Sequence, residues 1–305
     1  MRKLTSILAV VDPTDEPQQA VVKASVLARH FGARLELFLC DSERAYALRH
    51  AYDRTGVAAA EQDALVSGRR YLELIRRSVA EDVPVTTHVA CMSPLCEAIS
   101  RHAREVQADL VIKCASGRRP SQRLTLDAND WQLARSCPSP LMLTQGRAWH
   151  PDVRFAAAVD VGDPNGASLA RSIMETAGFL TLGCEGRLDV VYSDSNPFDE
   201  KGAAERRRHL SRLVNEFRVG LEHQIVLEGD ADDTLPIFAA RQGYDMMILG
   251  ALARRRGPAG IVGTLTSRLI DSLDCDFLLV KADSIAAEDE MAQPAREVLL
   301  ALGTA

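Results

Sequence analysis

What this 305-residue chain lacks excludes several classes of protein. No apolar run approaches the roughly 18 residues that a membrane helix needs. The opening Met-Arg-Lys-Leu-Thr-Ser runs straight into a strand-like segment and shows no signal-peptide apolar region. A cytoplasmic protein with no membrane span is therefore expected. No two of the seven cysteines stand as Cys-x-x-Cys. The closest, Cys91 and Cys96, would supply two thiolates, a poor metal site. An odd count also speaks against a secreted disulfide framework, so the cysteines read as small apolar side chains. The seven histidines show no metal-ligand spacing, and no metal is predicted. There is no Gly-x-Ser-x-Gly elbow and no nameable acid–base pair, so no catalytic residue is assigned and an enzyme is not supported. The net charge is -6, and basic residues are dispersed apart from Arg206-Arg-Arg208 and Arg254-Arg-Arg256. A general nucleic-acid footprint needs a concentrated basic face and is not expected.

What the chain does have is duplication. Residues 7–12 read Ile-Leu-Ala-Val-Val-Asp and residues 155–160 read Phe-Ala-Ala-Ala-Val-Asp. Each half continues with an acid and an apolar run, Asp109-Leu-Val-Ile-Lys113 and Asp245-Met-Met-Ile-Leu-Gly250. Each closes with a Cys and a third run, Cys137-Pro-Ser-Pro-Leu-Met-Leu143 and Cys275-Asp-Phe-Leu-Leu-Val280. The period is too long for a solenoid and implies two domains. They are placed at 1–148 and 149–282, with a tail at 283–305 that has lost the repeat and carries no assigned role.

Strand-like runs alternate with helical patterns throughout. Strands are expected near 5–11, 34–40, 84–89, 109–113 and 139–144, with helices near 16–31, 59–80, 93–106 and 127–136. The second half gives strands near 153–160, 187–192, 223–227, 245–249 and 276–280. Its helices fall near 165–179, 199–218, 231–242 and 264–273. Gly32 stands where a helix stops, and Ser93-Pro94 reads as an N-cap with proline in the first turn. Such alternation implies α/β domains, each a five-stranded parallel sheet with helices on both faces. Trp131 and Trp149 read as packing anchors.

In an open parallel sheet, ligands sit beyond the carboxyl ends of strands where the strand order reverses. In the second half that position should hold Asp160 and the loop from Gly250 to Thr264. Glycines let the backbone approach phosphate oxygens, and free N–H groups at a helix start face the anion. Thr264 can add a hydroxyl, and Asp160 can accept from a sugar hydroxyl or an adenine amino group. Here the chain resembles the universal stress protein family, in particular its tandem bacterial members of the E type. The resemblance implies Rossmann-like, adenine nucleotide alpha hydrolase-like domains, and a stress-response or regulatory protein that binds a ligand. It further implies ATP or a related nucleotide as a weakly held cofactor, or another small phosphorylated ligand. Partner proteins stay unnamed, and the expected assembly is an intramolecular pseudo-dimer that forms a homodimer. Because family members associate through the last strand of the domain, the resemblance also implies that Leu141-Met-Leu143 and Phe277-Leu-Leu-Val280 lie at or beside the contact between halves, where their edges would be covered. ATP-binding relatives carry Gly-x2-Gly-x9-Gly-Ser/Thr, and this chain has Gly250-x2-Ala253-x9-Gly263-Thr264. Where the family has its second glycine stands Ala253. The first half keeps Asp12, has Lys113 where the first loop glycine is expected and Thr125-Leu126 near the Gly-Thr position, and is read as not binding ATP. Lys113 is expected to fill part of that vacated pocket. Two alternatives stand beside this reading. One is an ATP-dependent hydrolase or transferase using a carboxylate such as Asp163; the other is an interaction module with an empty pocket.

Overall fold

The computed structural model describes residues 1, 3–14, 17–51, 56–115, 128–163, 166–217, 223–251, 269–270, 273 and 275–282. Unbroken apolar runs make the innermost strands, because a strand buried on both faces has no place for a polar side chain. The first half contains β1 (Ser6–Val11), α1 (Gln19–Phe31), β2 (Arg34–Cys40), α2 (Ser42–Arg49), α3 (Val57–Arg76), β3 (Val85–Ala90), α4 (Leu95–Glu105), β4 (Leu110–Cys114), α5 (Ala128–Ser136) and β5 (Leu141–Thr144). The second contains β6 (Arg154–Ala158), α6 (Ala167–Gly183), β7 (Arg187–Asp194), α7 (Glu200–Glu216), β8 (Gln224–Glu228), α8 (Ala231–Gln242), β9 (Met246–Gly250) and β10 (Asp276–Val280).

The strands form one sheet in the order β3-β2-β1-β4-β5-β10-β9-β6-β7-β8. Every pairing is parallel except β5 with β10, where Phe277, Leu278 and Leu279 lie opposite Leu143, Met142 and Leu141. Two five-stranded parallel units thus meet through their last strands, as the resemblance implies. Each would otherwise leave a buried-type strand as an open edge. Helices α1, α3, α6 and α7 bury Leu27, Leu72, Ile173 and Leu210 on one face, and α4, α5 and α8 bury Ile99, Leu133 and Leu235 on the other. A fully buried Leu of this kind contributes about 1.5–3 kcal/mol.

Local signals explain several element ends. Gly32 adopts φ 63° and ψ 30°, so its N–H reaches back to the carbonyls of Ala28 and Arg29 and ends α1. Helix α2 was not foreseen; the Asp41 side chain caps it by accepting from the Arg44 N–H. At α4 the expected cap shifts by one residue. Pro94 is itself the extended N-cap (φ -79°, ψ 158°) and Leu95 opens the helix.

The repeated acid before the fourth strand of each half is structural. One Asp109 oxygen accepts from the N–H groups of Thr5 and Ser6 at 2.8 and 3.2 Å, pinning the start of β1. Asp245 does the same for β6. It accepts from the Arg154 N–H at 2.9 Å and the His150 N–H at 3.1 Å, with the His150 ring at 2.8 Å. Burial alone would raise the Asp245 pKa, but these N–H donors and the imidazole hold it below the ordinary carboxylate value. A carboxyl lowered on folding stabilises the protein above its unfolded pKa of about 3.9, and the contribution is lost as pH falls through the folded value. Asp245→Asn is therefore expected to cost on the order of 1.5–3 kcal/mol at neutral pH. The gap to the native protein should close as pH drops below about 4. Urea midpoints at both pH values test this; a gap of equal size at both would show that the charge on Asp245 is irrelevant.

Candidate functional site

The strand order of each half reverses between its first and fourth strands, β1 and β4 or β6 and β9. The crevice beyond their carboxyl ends is where an open α/β sheet accepts a ligand. In the second half β6 and β9 are neighbours, with Phe155 beside Met246 and Ala157 beside Ile248. Asp160 follows the end of β6 and Gly250 ends β9, so both stand at this same edge. Asp160 is exposed, and its Oδ1 accepts from the Gly162 N–H at 2.8 Å. Asp163 opens α6 through its backbone, its carbonyl accepting from the Gly166 N–H at 2.9 Å. At Gly250 a Cβ would stand 2.6 Å from Leu169 Cδ2, so the first turn of α6 packs where a side chain would be. Ala253, Arg254-Arg-Arg256, Gly263 and Thr264 lie outside the described residues, as do Thr125 and Leu126 and the tail from 283.

Sequence reasoning missed a second group at this edge. A Cβ on Gly162 would meet the Tyr192 hydroxyl at 3.1 Å and Arg206 Cδ at 3.5 Å, so both side chains lie directly against the Asp160 turn. The Arg206 guanidinium contacts Asp194 Oδ1 at 2.8 Å and donates to the Asn196 carbonyl at 2.7 Å. Asp194 is buried; its Oδ2 and the Arg206 Nε have no hydrogen-bond partner among the described residues. Burial, and then the Asp194 charge, pushes the Tyr192 hydroxyl up to about 12, so it stays a donor at neutral pH. The cluster draws on β7 and α7, and only the pairing of β7 with β6 brings it beside Asp160. Arg206 was visible in the sequence only as part of a short basic run.

The first half differs, in a way that corrects one expectation. Register places Cys114 beside Thr144 and Gly250 beside Val280, with Lys113 and Leu249 one step earlier. The residue equivalent to Gly250 is thus Cys114, and Lys113 corresponds to Leu249. Because side chains alternate across a sheet, that single step turns Lys113 away from Cys114's face and under α5. There its ammonium lies 3.0 Å from Asp130, both groups fully buried, and donates to the Cys114 carbonyl at 2.8 Å. Lys113 is a core ion pair rather than a filler of the crevice. Near Asp12 the space is bridged by other groups. The Gln18 amide pairs with both backbone groups of Asp12, at 2.9 and 3.1 Å, and Tyr71 donates to the Thr14 carbonyl at 2.7 Å.

The cysteines carry no disulfide; five are buried and Cys91 and Cys114 are half-buried. Burial pushes the thiols of Cys40 and Cys184 up to about 11, which keeps them protonated and poorly nucleophilic. Trp149 anchors the junction between halves: its indole N–H donates to Asp276 at 2.7 Å, and the Lys23 ammonium of the first half lies over its ring, 5.9 Å from the centroid. Among the described residues no helix is long and apolar enough to cross a membrane.

A model of the universal stress protein family matches residues 3–145 and 186–281. The universal stress protein E homolog of Haemophilus influenzae is 21% identical over 305 residues, covering 92% of this chain and 98% of its own length. Universal stress protein E of Salmonella typhi is 22% identical over 95% of this chain and 98% of its own. Among solved structures, a putative universal stress protein from Pseudomonas aeruginosa UCBPP-PA14 superposes with a TM-score of 0.75 at 24% identity, covering 96% of this chain and 99% of that one. A universal stress protein from Archaeoglobus fulgidus DSM 4304 gives 0.66 at 11% identity, covering 91% and 98%. These likenesses concern the fold.

Proposed function

The chain belongs to the universal stress protein family, and on that premise we propose that it is a tandem stress-response protein whose second half holds a nucleotide. The two units run over residues 1–148 and 149–282, and the protein acts through ligand-dependent conformation and partners rather than turnover. One observation carries the reading: Asp160, just after β6, and Gly250, ending β9, stand at the ends of neighbouring strands where the order of the second half reverses. In this reading Asp160 accepts from the ribose or the adenine amino group. The backbone around Gly250, Ala253 and Gly263 meets the phosphates, with the Thr264 hydroxyl as a further donor. Arg254-Arg-Arg256 supplies charge-assisted contacts. The first half serves as its structural partner, with Cys114 in the place of the loop glycine.

Isothermal titration with ATP tests this. Gly263→Val should abolish binding by crowding the phosphate approach. If position 253 needs positive φ, alanine costs about 1–2 kcal/mol there, and Ala253→Gly should tighten binding roughly five- to thirty-fold. Equal affinity in the native protein and Gly263→Val would place the site in the wrong half. No ATP binding even in Ala253→Gly would overturn the nucleotide reading in favour of an interaction module.

A further inference from the structure

Away from the crevice, the first half gathers two imidazoles and a carboxylate that the chain keeps far apart in sequence. Glu36 lies on β2, His88 on β3 and His102 on α4, and one ligand atom from each falls within 4.8 Å of the others. Strand alternation makes the cluster. In the β2–β3 register Glu36 pairs with Thr86 and Phe38 with His88, so Glu36 and His88 are diagonal neighbours on the sheet face that α4 covers. The His102 ring stacks on Phe38 and on His88, with centroids 4.8 and 4.1 Å away, and Phe38 and His88 stack on each other at 5.9 Å. Its Nε2 stands 3.2 Å from Glu36 Oε1, and its Nδ1 stands 3.2 Å from Glu105 Oε2. The second Glu36 oxygen accepts from the Thr86 hydroxyl.

We propose that Glu36, His88 and His102 form a binding site for a divalent transition metal of the zinc class. Two imidazole nitrogens and one carboxylate oxygen are the donor set that borderline cations prefer. Ligand atoms bonded at about 2.0–2.1 Å in tetrahedral geometry stand about 3.3 Å apart, close to the separation already present between Glu36 and His102. Glu105 holds the other nitrogen of His102, the outer carboxylate contact that fixes a metal-binding imidazole. His102 is buried and Glu36 is half-buried, so two ligands are preset. His88 is exposed on an edge strand, where its ring can swing from the stack to close the site and where the ion enters. The equivalent strand position of the second half carries Asp189, contacted by His223 at 2.8 Å and by the Tyr244 hydroxyl at 2.8 Å. With one imidazole it lacks the set, and it provides an internal control.

The test uses the full chain, with Zn²⁺ in chelator competition and Co²⁺ followed by its visible d–d bands. One ion per chain is expected, with nitrogen–oxygen tetrahedral bands and no thiolate charge-transfer absorption. His88→Ala, at an exposed position, should lose the ion while its circular dichroism spectrum stays native, and Glu36→Gln should do the same. Glu105→Gln should weaken binding about ten- to a hundredfold. His223→Gln should leave it unchanged. An ion that survives His88→Ala and Glu36→Gln, a thiolate band, or no stoichiometric binding in the native chain would each overturn the proposal.

Discussion

Asp276→Ala is expected to cost about 3–5 kcal/mol of stability, the range found when one partner of a buried ion pair is removed. The carboxylate begins β10 in the second half and is almost wholly enclosed. It takes the Lys23 ammonium of α1 at 2.7 Å, the Gln145 N–H at 2.8 Å and the Trp149 indole N–H at 2.7 Å. Lys23 is only 3% exposed, so without Asp276 its charge would be left with the Gln145 carbonyl at 2.9 Å and the Trp149 ring, 5.9 Å to its centroid, and no carboxylate. The double change Lys23→Met with Asp276→Leu should regain most of the loss, because a buried pair exchanges well for apolar groups of similar volume. Urea unfolding of the two variants measures this. The pair spans the two halves, so Asp276→Ala should also lower the cooperativity with which the halves unfold together. A cost below about 1 kcal/mol, the size of an exposed pair, would mean that water reaches the carboxylate.

Breaking the Lys113–Asp130 pair is the second change with a large expected effect. Both side chains are buried at 3.0 Å, one at the end of β4 and the other in the first turn of α5. Asp130→Ala should cost about 3–5 kcal/mol, and Lys113→Met with Asp130→Leu should restore much of it. ATP affinity should not change in either variant, because the proposed nucleotide site lies in the other half. Lost ATP binding in a Lys113 variant that remains folded would instead tie the ligand to the first half. Together these two pairs anchor the first half, one to its own helix layer and one to its partner unit.

The strands and most helices were legible because their signals are local. Apolar alternation, the Gly32 stop and the duplicated Asp-ended strands repeat along the chain, whatever that chain packs against. Where the halves meet followed from the resemblance, whose members associate through the last strand, together with the need to cover such edges. Helix α2 escaped because it buries no side chain and so shows no periodic apolar face. Counting from Asp109 and Asp245 places Cys114 opposite Gly250, but the apolar run drew attention to Lys113. Only register showed that one step moves a side chain to the opposite face of the sheet. The Tyr192–Asp194–Arg206 group and the Glu36–His88–His102 cluster were invisible for a related reason. Their members come from different elements, and strand order and helix packing alone decide which distant residues become neighbours. The sequence by itself determined the two α/β units, their duplication and the glycine-loop candidate. Tertiary structure decided which charges are buried in pairs, which residue stands for the loop glycine in the first half, and where imidazoles and carboxylates converge. Periodicity is a property of one segment, whereas a site is a property of several segments held in register.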